Sequence, residues 1–161
     1  MIFVAEDTIN QVISELEQLN GAVEASIEQL KAEQPMLLAY ITSEQFDMLN
    51  TEEREYLIYL IQVLLQSIHK AVNAVLPTLE EEEIGNAEEQ VWEMMEKAKG
   101  KTFRDRLDVF FEGYPQEDLL AFVEDSLVEA ADPKEDDITT EGRELLFVAA
   151  RTTIDAFHHA I

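Results

Sequence analysis

The chain has 161 residues, with 35 acids against 11 Lys and Arg and a formal net charge of −24. Such a field repels nucleic acid, whose binding relies on Lys and Arg neutralising phosphates, and it repels anionic membranes as well. Zero cysteines exclude disulfides, thiol catalysis and thiolate metal sites.

Scarce Gly (5) and Pro (4) favour helix throughout. The opening Met1-Ile2-Phe3-Val4-Ala5 has neither a basic n-region nor a full apolar h-region, so no secretory leader is expected. Asp7 is a plausible N-cap. Ile9, Val12, Ile13, Leu16, Leu19, Val23, Ile27 and Leu30 follow at helical steps, which predicts one amphipathic helix over 8–31, with Gly21 marking a kink or close packing. Pro35 suits the first turn of a helix running to about Met48. Asn50 or Thr51 caps a third helix that runs to about Val75, and Asn50 with Glu53 has the spacing of a capping box. That helix is apolar all round from Tyr56 to Leu65, interrupted only by Gln62, so it reads as buried on most sides. The run is far shorter than the roughly 20 residues of a membrane span. Residues 77–85 read as a connector. Further helices are expected over 87–98, 102–112, 116–131 and 140–160, with Asn86 and Glu89 as a capping box and Gly100 as a helix stop. Asp132 to Asp137 reads as a loop.

The chain resembles itself. Residues 51–72 align without gaps on 140–161, with seven of 22 positions identical: Thr51/Thr140, Glu52/Glu141, Arg54/Arg143, Glu55/Glu144, Leu57/Leu146, His69/His158 and Ala71/Ala160. Leu37 to Ile41 matches Leu119 to Val123, and Asp7 to Gly21 matches Asn86 to Gly100. The three matches keep one order, as a duplication requires. The expected fold is a single all-α domain over 1–161, of six to seven bundled helices in two pseudo-equivalent halves, about 7–76 and 86–161. The helices at 51–75 and 140–160 should be central, with Leu57, Leu60, Ile61, Leu64, Leu146, Ile154 and Phe157 in the core.

Candidates for chemistry are few. Glu52, Arg54 and Glu55 recur as Glu141, Arg143 and Glu144; acids in a first helical turn suit the dipole, and the Arg fork suits a carboxylate across a pseudo-two-fold axis. Asp155, His158 and His159 share one helical face, but the counterpart of Asp155 is Gln66, a poor ligand for a hard metal. His69 and His158 near helix ends instead read as imidazolium groups facing the dipole. Lys97, Lys99, Lys101, Arg104 and Arg106 form a basic island, suited to an anion, to the chain's own acids or to a second subunit. Acid pairs such as Glu52/Glu55, Glu80/Glu83, Glu93/Glu96, Glu129/Asp132 and Glu141/Glu144 are what so acidic a composition produces by itself. No Walker loop, G-x-G-x-x-G or G-x-S-x-G is present.

These features point to a non-catalytic, cytoplasmic, acidic helical interaction or regulatory protein, of nucleic-acid-mimic or toxin-neutralising type. Its partner would be a basic protein or a second copy, with no nucleic acid, membrane, cofactor, catalytic group or metal assigned. The alternative is a carboxylate-ligated metal-dependent hydrolase acting on nucleotides.

Overall fold

A computed structural model of the chain describes residues 1–19, 22–130 and 138–161. Among these residues the secondary structure is helical, with no strand. The helices are α1 (Glu6–Glu17), α2 (Ala22–Glu33), α3 (Pro35–Ile41), α4 (Thr51–Val72), α5 (Glu81–Lys97), α6 (Phe103–Phe111), α7 (Glu117–Ala130) and α8 (Thr140–Ala160), with a 3₁₀ turn at Glu44–Phe46. None is long and apolar enough to cross a membrane.

The helix expected over 8–31 is two helices. α1 ends at Glu17 and α2 begins at Ala22. α1 packs on α4 and α7, whereas α2 packs on α3 and α4. The readings of Gly21 and of the loop at 132–137 fall outside the described residues. Ala5, not Asp7, is the N-cap of α1. Its side chain cannot cap, and Asp118 of α7 accepts the Glu6 N–H at 2.9 Å instead.

α3 stops at Ile41 rather than near Met48. The Thr42 hydroxyl donates to the Leu38 carbonyl at 2.7 Å and that of Ser43 to Tyr40 at 2.6 Å, bonds that compete with helix continuation. α4 starts with the expected capping box of Asn50 and Glu53, and ends at a left-handed Asn73. α5 begins inside the expected connector. Its box is Glu80 with Glu83, not Asn86 with Glu89, because acids crowd the positive end of the dipole there. Asn86 is an exposed mid-helix residue. After α5, Gly100 passes so close to α6 that a Cβ would lie 2.7 Å from Asp105 Cβ and 2.9 Å from the Arg106 nitrogen. No side chain fits there.

α4 and α8 pack on one another at the centre; α1 and α2 cover α4, while α5 and α7 cover α8. All seven residues expected in the core are at most 2% exposed. Every residue of α8 from Leu145 to Phe157 is buried. The small Ala149, Ala150 and Ala156 along it let neighbouring helices approach closely.

Two buried glutamines pin segments that precede helices. Gln34, just before α3, accepts the Leu79 N–H at 3.0 Å and donates to the Pro77 carbonyl at 2.8 Å. Gln116, just before α7, accepts the Val4 N–H at 3.0 Å and donates to the Ile2 carbonyl at 2.9 Å. Gln116→Ala would strand the buried Val4 amide, so a loss of about 1–3 kcal/mol is expected. Urea unfolding of the variant checks this. An unchanged midpoint would mean that water replaces the glutamine at no cost.

Candidate interaction surface

The motif shared by 52–55 and 141–144 is structural at both places, but not in the way its spacing suggests. Glu52, Glu55 and Glu141 are exposed. Arg54 donates from Nε to the Leu49 carbonyl at 3.0 Å and from Nη2 to that of Asp47 at 2.8 Å, fastening the turn that leads into α4. Arg143 lies 4.2 Å over the Phe103 ring, and burial lowers its pKa, with Arg106 adding to the effect. Glu144 pairs with Arg106 at 3.6 Å. Among the described residues neither motif arginine pairs with a carboxylate across the bundle.

The carboxylate that does cross is the one between the motif residues. Glu53 is 1% exposed. Its Oε1 accepts the Asn50 N–H at 2.9 Å, and its Oε2 accepts the Thr139 N–H at 3.1 Å and the Thr139 hydroxyl at 3.0 Å. The Thr139 oxygen in turn caps α8 by accepting the Gly142 N–H at 3.0 Å. One side chain thus ties the N-terminus of α4 to that of α8. It fits because residue 142 is glycine: a Cβ there would fall inside the Glu53 carboxylate.

Asp155, His158 and His159 do not converge on a common point. Arg151 Nε reaches both Asp155 oxygens at 3.1 and 3.0 Å, and the Tyr114 hydroxyl donates to Oδ1 at 2.6 Å. The guanidinium also stacks 3.6 Å over the Tyr114 ring and donates to the Phe110 carbonyl at 3.2 Å. The Asp155 carboxylate is therefore occupied within the fold. His159 Nδ1 sits 2.7 Å from the Asp155 carbonyl. Burial lowers the His158 pKa, with the Met1 amine and His159 adding to it. Its neutral form is thus favoured, against the expected imidazolium at the helix end. Among the described residues no three His, Asp or Glu side chains come together as a metal site.

The basic island divides. Arg104 is held by Glu124 and Asp125, both at 3.1 Å, and Arg106 by Glu144. Burial raises the Glu124 carboxyl pKa, and Arg104 opposes the shift. The start of α6 is capped internally, Thr102 accepting the Asp105 N–H at 3.0 Å. Lys97, Lys99 and Lys101 are exposed.

A cleft of about 600 Å³ opens between α1, α7 and the first turns of α4. Glu6, Asp118, Asp125 and Glu129 contribute carboxylates to it; Tyr56, Tyr59 and Phe122 contribute rings, over a floor of Ile9 and Ile13. No Lys or Arg lines it among the described residues. The rings of Tyr56 and Tyr59 stack with centroids 5.8 Å apart. The Tyr56 hydroxyl donates to the Ser126 carbonyl at 3.0 Å, which fixes that ring. Burial raises both phenol pKa values. A second cleft, about 370 Å³, lies between α3 and α5 around Tyr40, Glu81, Ile84 and Glu88. Burial raises the Tyr40 phenol pKa strongly, and Glu88 adds to it.

Sequence patterning places Tyr56 and Tyr59 in an all-round buried helix; both are half-buried and face the cleft. The two glutamines carried a readable signal. Gln34-Pro-Met-Leu-Leu-Ala39 and Gln116-Glu-Asp-Leu-Leu-Ala121 share four of six positions at one spacing. Against family models, curated proteins and solved structures, the chain finds no match.

Proposed function

We propose that the chain is a non-catalytic, cytoplasmic interaction protein whose acidic helical surface captures a basic protein, in the manner of a nucleic-acid mimic or toxin-neutralising protein. The observation that carries this reading is how the charge is spent. Lys70, Arg104, Arg106 and Arg151 are each paired with the chain's own carboxylates. With 35 acids in all, most of the carboxylates are left to face solvent. Such a field raises the encounter rate with a cation more than it raises final affinity. The hydrolase alternative draws no support from carboxylate geometry, since the described acids do not gather as metal ligands.

An internal duplication belongs to the same proposal, with α1 to α4 corresponding to α5 to α8. Packing supports it: α1 lies on α4 and α7, and α5 lies on α8 and α3. The bonds of Gln34 and Gln116 match partner for partner. The two clefts also correspond, Glu6 with Glu81, Ile9 with Ile84, Ala121 with Ala39 and Phe122 with Tyr40. In this register α1 aligns on α5 one helical turn away from the Asp7/Asn86 pairing. Glu53 and Gly142 stay counterparts in the pairing of α4 with α8, one large side chain lying against one absent one.

The test is association with an arginine-rich peptide and with a DNA duplex. The peptide should bind, its association rate falling about tenfold or more between roughly 50 and 300 mM salt. The duplex should not bind at about 150 mM. Tight DNA binding there, or peptide association indifferent to salt, would overturn the reading.

A further inference from the structure

We infer that the cleft between α1, α4 and α7 is the docking site for a helical segment of the partner, carrying Lys or Arg beside apolar residues. The inference rests on the proposed capture of a basic protein and says where and how capture occurs. Three observations carry it.

The first is shape. The α7 side of the cleft runs as a stripe from Asp118 to Glu129 at helical spacing. At 1.5 Å per residue that stripe is roughly 16 Å long. It matches about three turns of a helix laid in a groove, the mode by which amphipathic helices bind grooved partners. A compact cation would leave most of it empty.

The second is composition. Carboxylates at Glu6, Asp118 and Glu129 alternate with the rings of Tyr56, Tyr59 and Phe122. An ammonium or guanidinium above a phenol ring gains from the ring's quadrupole, and the flanking acids strengthen that site. The apolar floor receives the partner's aliphatic residues.

The third is contrast within the molecule. In the cleft between α3 and α5, the positions matching Asp118 and Asp125 are Met36 and Ser43. That cleft lies between the two matching helices with fewer charges and with no side chain from α8, and it serves as an internal control.

The experiment uses the full chain and a fluorescent amphipathic Lys/Leu peptide of about 14 residues, read by anisotropy at roughly 50 mM salt. Tyr59→Ala, and separately the pair Glu6→Gln with Glu129→Gln, should each weaken binding about tenfold. Glu81→Gln with Glu88→Gln in the other cleft should change it less than about twofold. Tyr59→Phe should keep wild-type affinity, which separates loss of the ring from loss of the fold. Equal weakening by both carboxylate pairs would overturn the docking site while leaving capture by the general field intact. A peptide with Glu in place of Lys that binds as well would overturn the site on charge. Failure of the Lys/Leu peptide to bind the wild-type chain at all would overturn both the site and the proposed function.

Discussion

Gly142→Ala is expected to destabilise the fold by about 3 kcal/mol or more, although alanine is ordinarily the better helix former by up to about 1 kcal/mol. The sign reverses because of what lies against residue 142. A methyl group there would occupy the Glu53 carboxylate. Overpacking of this kind typically costs about 1–3 kcal/mol. Relief by moving Glu53 would break the capping box of α4 and the two bonds to Thr139, at about 1 kcal/mol for the cap alone. Glu53→Ala removes both the obstacle and the bonds. In that background Gly142→Ala should be close to neutral, giving a coupling of about 2 kcal/mol or more between adjacent sites. Urea unfolding of the two single variants and the double measures it. Additive effects would show that residue 142 and Glu53 do not compete for the same space.

Asp155→Ala should cost about 3–5 kcal/mol, because it strands a buried guanidinium. Arg151 is 6% exposed and would retain, among the described residues, the Phe110 carbonyl and the Tyr114 and Phe110 rings. The Tyr114 hydroxyl would lose its acceptor as well. Replacing both charges, Arg151→Met with Asp155→Leu, should recover most of that loss, since removing a buried pair together avoids the uncompensated charge. Thermal unfolding of the single and paired variants decides the matter. A paired variant as unstable as the sum of its singles would mean that the network is held for its shape and not for charge balance.

The long helices were legible because their patterns are local. α4 carries its start signal in Asn50 and Glu53 and an apolar run too dense for a surface helix. α8 begins at Thr140 and ends at Ala160, as its spacing indicates. Elements decided by tertiary contact were not legible. The break after Glu17 goes with a change of flanking helix, from α7 beside α1 to α3 beside α2, while both rest on α4. The start of α5 at Glu81 follows from four consecutive acids that read equally well as a solvated connector. The motif arginines pointed to an ion pair across the bundle, but the crossing group is Glu53, which the sequence marks only as the capping-box partner of Asn50 and which aligns with Gly142. A mismatch there was the informative position. The cleft was hidden for a related reason: Tyr56 and Tyr59 satisfy the rule for core residues, and only the placement of α1 and α7 leaves one side of α4 open.

The bond from Val4 to Gln116 spans 112 residues of chain, and the Glu6 N–H is capped by Asp118 at the same separation. The first helix therefore has no finished seat until the seventh has been made. At about 5–20 residues per second of synthesis, the amino-terminal segment waits roughly 6 to 20 s before its partner exists. During that interval Ile9, buried in the finished fold and lining the cleft shared with α7, lacks that neighbour. Glu6 and Asp7 before it and Glu15 and Glu17 after it give the waiting segment a negative charge, and like charges on neighbouring nascent chains repel one another.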